Sequence, residues 1–170
     1  MNASLEKLDV LLICGNYATG KSTLANKYFR SWKRVNRNEI RRFLKSMMEH
    51  GAPEEEADFS PEMEHLVHHI ELTIIKYLLE KNEKVLIDNT SVTRKSRKRY
   101  VQEVQRFGKS IGCVFIDAPV QLLLQRNAAR PKAERVPESV ISQLHAKHEH
   151  PRKDEGFSFY SMVDAEKEKR

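Results

Sequence analysis

The residues best suited to chemistry lie close together near the start of the chain. Gly15, Gly20, Lys21 and Ser22 fall into the pattern G-x-x-x-x-G-K-[ST], the spacing at which the N–H groups of a loop converge on phosphate oxygens. Glycines let the loop wrap, the helix N-terminus behind it adds about half a positive charge, Lys21 neutralises terminal phosphates, and the Ser22 hydroxyl is placed to ligate Mg²⁺. The run Gly15, Asn16, Tyr17, Ala18, Thr19, Gly20, Lys21, Ser22 and Thr23 is therefore the expected cradle for ATP or another nucleoside triphosphate.

Further groups could complete a reaction around such a cradle. Asp88 ends the apolar run Lys84 to Asp88 and precedes Asn89, Thr90 and Ser91. A carboxylate there either stands behind a Mg²⁺ held by Ser22 or caps the next helix, and the need of a P-loop for such a partner favours the metal side. Asp117, ending V-F-I-D, is the competing strand-end acid. In Val35-Asn36-Arg37-Asn38-Glu39-Ile40-Arg41 a strand gives way to a helix, so Asn38 and Arg41 share one helical face on the acceptor side of the cradle. Small P-loop kinases commonly place a carboxylate here to deprotonate the acceptor hydroxyl; Asn38 can hold a hydroxyl but cannot take its proton.

Arg126, Asn127, Arg130, Lys132 and Arg135 form a basic segment. It reads as a lid over ATP or as a solvated helix end opposing its dipole, and the P-loop favours the lid. Arg94, Lys95, Arg97, Lys98 and Arg99 crowd together as a phosphate groove or a solvated face. His65 with His69, and His145 with His148 and His150, come with neither a cysteine nor an obviously placed carboxylate, and read as surface histidines.

Alternating strands and helices must position these groups. Apolar runs predict strands at Asp9 to Cys14, Arg34 to Asn36, Lys84 to Asp88, Ile111 to Ile116 and Phe157 to Val163. Helices are expected from Lys21 to about Arg30, and to about Glu49 with Ile40, Phe43, Leu44 and Met47 on one face. Ser60 and Pro61 start a long helix to about Lys81, with Met63, Leu66, Val67, Ile70, Ile74 and Leu78 inward. Others run from Thr93 to Phe107, Val120 to Ala129 and Pro137 to about His148, while residues His50 to Phe59 read as a loop. The pattern predicts an α/β fold, a three-layer P-loop kinase type with a mainly parallel sheet and an arginine-bearing lid. Right-handed crossovers then bring the strand ends at Cys14, Asn36 and Asp88 together.

Length and composition set bounds on this reading. The 170 residues suit one domain, 1–163, followed by a charged tail or linker, 164–170, expected to fray. A net charge of +6 leans towards a polyanionic partner. Cys14 and Cys113 sit in apolar runs, which argues against a disulfide framework and suits a reducing compartment. Glu6 and Asp9 ahead of a short apolar run do not make a signal peptide, and no stretch is long enough to span a bilayer, so no membrane partner and a cytoplasmic address are expected.

Most of the chain resembles the P-loop 5′-hydroxyl polynucleotide kinases of phage end-healing and of bacterial and animal nucleic-acid repair. Val35-Asn36-Arg37-Asn38 matches a V-N-R-D segment and Ile87-Asp88-Asn89-Thr90-Ser91 matches I-D-N-T-N. Ser96-Arg97 and Arg99-Tyr100-Val101-Gln102 follow in register, Gln125-Arg126-Asn127 with Arg130 resembles the lid helix, and Val136-Pro137 and Glu155-Gly156-Phe157 are similar to later segments. The resemblance implies an enzyme that moves the γ-phosphate of ATP to a 5′-hydroxyl end of DNA or RNA. Lys21 and Arg130 would stabilise the transferring phosphate, with Arg126 on the donor, and Ser22 and Asp88 would serve Mg²⁺. Arg41 would grip the phosphate next to the hydroxyl, and Asn89 and Thr90 would shape the acceptor side. Asn38 departs from the pattern, standing where the family has its general-base aspartate. Either Glu39 has taken over or transfer is impaired, by nature or by deliberate substitution. The alternatives are a small-metabolite kinase and a nucleotide-dependent nucleic-acid-binding module that never completes transfer. Relatives are often joined to phosphatase or ligase modules, so a fused or associated module is compatible with the sequence, as is a homo-oligomer.

Overall fold

In the computed structural model, which describes residues 3–48 and 60–167, the apolar run Val10–Cys14 (β1) is the middle strand of a five-stranded, all-parallel sheet. Lys33–Asn36 (β2), Val85–Asp88 (β3), Ile111–Asp117 (β4) and Phe159–Asp164 (β5) complete it in the order β2-β3-β1-β4-β5. The helices are Ala3–Glu6 (α1), Lys21–Tyr28 (α2), Arg37–Met48 (α3), Pro61–Glu80 (α4), Arg94–Arg106 (α5), Val120–Ala128 (α6) and Glu138–Ala146 (α7). Short 3₁₀ turns occupy Lys132–Glu134 and Lys153–Glu155. Residues 49–59, which include the expected loop and the last residue of the expected second helix, lie outside the described residues.

Alternation along β1 divides the core. Val10, Leu12 and Cys14 pack with Ile75, Leu79, Tyr100, Val101 and Val104 in one layer, while Leu11 and Ile13 pack with Ala25, Phe29, Leu123 and Ile141 in the other. Both faces of the strand are covered, so it reads as an unbroken apolar run. Each fully buried Val, Leu, Ile or Phe among them contributes about 1.5–3 kcal/mol. The caps form as their residue types require. Ser60 Oγ accepts from the Met63 N–H at 3.2 Å with Pro61 behind it, and Thr93 and Ser96 exchange reciprocal capping bonds, each 3.2 Å.

Two helical stripes differ from those that apolar spacing suggests. In α4 the inward residues are Met63, Val67, Glu71, Ile75 and Leu79, while Leu66 and Ile74 are 37% and 38% exposed. The stripe runs through a carboxylate that hydrophobicity alone excludes, because Glu71 finds its partners only in the folded chain. In α3 the inward positions belong to Arg41 and Leu44, leaving Phe43 and Met47 exposed; Arg41 is drawn in by an ion pair with Glu64 of α4. The last strand extends one residue past the expected Val163, and residues 168–170 of the expected tail lie outside the described residues. Asp164 pairs with Asp117 in the sheet and Ala165 is buried, its N–H donating to the Asp117 carbonyl at 2.9 Å.

Candidate active site

The parallel strands all end at one edge, and the turn after β1 wraps there into the predicted cradle. Gly15 has φ 146°, and a Cβ on it would meet the Ile116 carbonyl oxygen at 2.3 Å, so the close approach of β4 admits only glycine. Gly20, at φ 99°, turns the chain into α2. The Gly15 N–H donates to the Thr90 carbonyl at 2.8 Å, tying the loop to the segment after β3. Asn16 is buried, its amide donating to the Ile141 carbonyl of α7 at 2.8 Å while its oxygen accepts from the Tyr17 N–H at 2.7 Å. The Thr19 hydroxyl donates back to the Asn16 carbonyl at 2.9 Å. These two side chains brace the loop and leave its backbone to face the cleft.

Lys21 Nζ donates to the carbonyls of Gly15 and Asn16 at 2.9 and 2.7 Å. Desolvation in the loop pushes its ammonium down to about 8, against the upward pull of Asp88. Ser22 Oγ donates to Asp88 Oδ2 at 3.0 Å. Asp88 Oδ1 is buried with no hydrogen-bond partner, an orphan lone pair of the kind a hydrated Mg²⁺ would satisfy. Ser22 and Asp88 therefore fit that ion.

Opposite the cradle, β2 and the start of α3 build the second wall. Asn36 donates to the Asp88 carbonyl at 2.9 Å and accepts from the Glu39 N–H at 3.0 Å, joining two strand ends while capping α3. One turn on, Arg41 donates to Asn38 Oδ1 at 2.6 Å, so the two residues expected on one face do meet. Asn89 lies in the same wall, its amide donating to Glu71 and, at 2.9 Å, to the Tyr100 hydroxyl. The Tyr100 hydroxyl also donates to the Glu71 carboxylate, and burial, with the charge of that carboxylate, raises the hydroxyl's pKa. Tyr17, Lys21, Ser22, Asn38, Arg41 and Arg130 share the lining of one cleft of about 350 Å³ with Asp88, Asn89 and Thr90.

Three partners escaped the sequence reading. Arg34 donates to Asp88 Oδ2 at 2.8 and 3.0 Å and to Ser22 Oγ at 3.2 Å, and holds Glu39 at 2.6 Å. Glu39 is thereby turned towards Arg34 and does not line the cleft. Glu64 lines it instead, receiving Arg41 at 2.5 and 2.8 Å and Arg37 at 2.9 Å. Glu71 anchors the wall behind Asn89. Only the appearance of a carboxylate on an otherwise apolar stripe of α4 could have signalled it.

The two basic segments divide. Arg130 lines the cleft, but Arg126, expected on the donor, donates to the Ala165 carbonyl at 3.0 Å and does not line the cleft. In α5, Arg97 is fully buried, forking onto Glu155 with two bonds of 2.8 Å and onto the Glu149 carbonyl at 2.7 Å. Arg94 meets Asp154 at 2.8 Å. Two of the five cations of the expected phosphate groove are thus tied into ion pairs, and the Ser96-Arg97 and Glu155-Gly156-Phe157 segments meet through the Arg97–Glu155 pair. Asp117, the competing metal-side acid, lies apart with His148 and His150. It supplies the carboxylate that those histidines lack in sequence.

A five-stranded all-parallel sheet flanked by helices, with a G-x-x-x-x-G-K-S turn after its middle strand, is the P-loop kinase fold. The profile of the family described as "AAA domain" (AAA_33) matches residues 10–151, and the chain belongs to that family. No curated protein sequence matches it. A sugar kinase from Janibacter sp. HTCC2649 shares the fold at 14% identity and TM-score 0.67, covering 93% of this chain and 86% of that one. A gluconokinase from Sinorhizobium meliloti 1021 does so at 18% identity and TM-score 0.60, covering 92% and 82%. A chain of the Pnkp1/Rnl/Hen1 RNA repair complex matches at 25% identity and TM-score 0.65, covering 81% of this chain and 43% of that one. This chain thus spans under half of that chain's length. Among the described residues no helix is long and apolar enough to cross a membrane.

Proposed function

We propose that this chain is an ATP-dependent kinase whose acceptor is the 5′-hydroxyl end of DNA or RNA, with transfer slowed by Asn38 at the general-base position. The observation that carries the reading is the Asn38–Arg41 pair, joined at 2.6 Å and lining the same cleft as Lys21. One residue for the hydroxyl and one for the adjoining phosphate diester are what a polynucleotide end requires. The likeness to the RNA repair complex chain supports it.

In this mechanism Lys21 leaves the loop carbonyls for the terminal phosphates, and Arg130 closes on the transferring group. Mg²⁺, when bound beside Ser22 and Asp88, offsets charge on the phosphate oxygens. Asn38 orients the acceptor oxygen, which forms a bond to the γ-phosphorus as the bond to the bridging oxygen breaks. The hydroxyl proton goes to solvent or phosphate, since the amide cannot take it. Arg41 exchanges Glu64 for the acceptor's phosphate. Any phosphatase or ligase module would act on the ends before or after this step.

A small-metabolite kinase is the second reading, favoured by the withdrawal of Arg97 into its clasp with Glu155 and by the likeness to the sugar kinases. Labelled ATP offered to this chain with a 5′-hydroxyl oligonucleotide, a nucleoside and a sugar separates the two. Label at the oligonucleotide 5′ end is expected. Label on the sugar or nucleoside alone replaces the first reading with the second.

A further inference from the structure

We infer that Asp117, His148 and His150 form a binding site for a transition-metal ion of the Zn²⁺ type, separate from the Mg²⁺ position at the P-loop. Asp117 ends β4, one strand from β1, and the histidines lie on the segment that crosses from α7 towards β5. One potential ligand atom from each falls within 4.8 Å of the others. His150 Nε2 and Asp117 Oδ2 are 2.9 Å apart, close to the roughly 3 Å that separates neighbouring ligands on a metal with bonds of about 2.0–2.1 Å.

The atoms around the triad leave the right lone pairs available. His148 Nδ1 donates to the His145 carbonyl at 2.5 Å, so its proton is committed there and Nε2 carries the lone pair. Asp117 Oδ1 accepts from the Ala118 N–H at 2.9 Å, which fixes the carboxylate and leaves Oδ2 as ligand. Neutral His150 can hold its proton on Nδ1 and offer Nε2 in place of its hydrogen bond to Asp117. Both rings rest against Phe115, with centroids 6.5 and 5.5 Å away.

The segment is also held in place independently of any ion. Glu149, between the two histidines, donates its N–H to the Val92 carbonyl at 2.8 Å, and its own carbonyl accepts from Arg97 at 2.7 Å. The ligands thus project from backbone pinned on both sides, which lowers the ordering cost of binding. Two imidazoles and one carboxylate suit Zn²⁺, Co²⁺ or Ni²⁺ and not Mg²⁺, and three protein ligands leave a position for solvent. A bound ion would staple the end of β4 to the α7–β5 crossover.

The test titrates the chelator-stripped 170-residue chain with Zn²⁺ alone, without nucleotide or Mg²⁺, by calorimetry. One equivalent is expected to bind at micromolar or tighter affinity and to raise Tm. His150→Ala and Asp117→Asn should each weaken it by at least about tenfold, and His148→Ala with His150→Ala by about 100-fold. His65→Ala with His69→Ala should leave it unchanged. His150 is 46% exposed, so its removal spares the fold, and NMR of the imidazole nitrogens in the unaltered chain, with shifts confined to His148 and His150, gives the same answer without mutation. Failure to bind one equivalent below about 100 μM, affinity that survives loss of His148 and His150, or shifts centred on His65 and His69 would overturn the proposal.

Discussion

The two walls of the cleft are built by different means. The donor wall is backbone: Gly15 and Gly20 set its path, and Asn16 and Thr19 hold it with bonds that do not involve the ligand. The second wall, on the proposed acceptor side, is side chain, and its Arg41 and Arg37 are already paired with Glu64, as Arg34 behind it is with Asp88 and Glu39. A glycine-shaped loop at a helix N-terminus suits any polyphosphate, which is why the same cradle serves unrelated enzymes. A wall of paired charges has to exchange partners, and in the proposed mechanism it is the displacement of Glu64 from Arg41 that selects the acceptor.

The contrast is most easily broken on the donor side. Lys21→Ala should lower kcat/KM about 100- to 1000-fold in steady-state transfer assays, with the fold intact by circular dichroism, since the backbone wall remains. The same lysine gives a pH test. Its ammonium is held near 8 in the free protein and is charged when polyphosphate binds, so binding takes up a proton and weakens as pH rises through 8. Between pH 7 and 9 the apparent Kd for ATP should rise about tenfold, measured by calorimetry in buffers of different ionisation enthalpy. Stability runs the other way: a folded pKa below the unfolded 10.5 means the unfolded chain binds more protons between 8 and 10.5, so Lys21 contributes a rise in stability with pH across that window.

On the acceptor side, Glu64→Gln removes the carboxylate from a buried guanidinium. Glu64 itself is 30% exposed, so the expected loss is about 1–3 kcal/mol in urea unfolding, together with tighter binding of a 5′-hydroxyl oligonucleotide as the competitor for Arg41 goes. Loss of both stability and acceptor affinity would make Glu64 part of the acceptor site. Arg126→Ala should have the smallest effect, below about twofold on KM for ATP, because its guanidinium is spent on Ala165. A large rise in that KM would place it on the donor after all.

What the sequence discloses follows the same division. The cradle, the strands and the cap at Ser60 depend on residues within a few positions of each other, so their spacing is visible in one dimension. The acceptor wall depends on pairs such as Arg34 with Asp88 and Arg41 with Glu64, 54 and 23 residues apart. No local pattern marks them. Glu71 and Arg97 were hidden for the same reason, since a charged residue reads as solvent-facing until its buried partner is known. Asp117 and His150, 33 residues apart, join only because the chain crosses over the sheet after α7.

The most direct measurement concerns Asn38, the side chain facing the cradle. Single-turnover transfer to a saturating 5′-hydroxyl oligonucleotide, followed across pH for this chain and for Asn38→Asp, reports whether a proton acceptor belongs there. The expected result is a gain of about 10²–10⁴ in rate with aspartate, and an acidic limb in its pH profile that the asparagine form lacks. Equal rates and superimposable profiles would contradict the assignment of Asn38 to the acceptor hydroxyl.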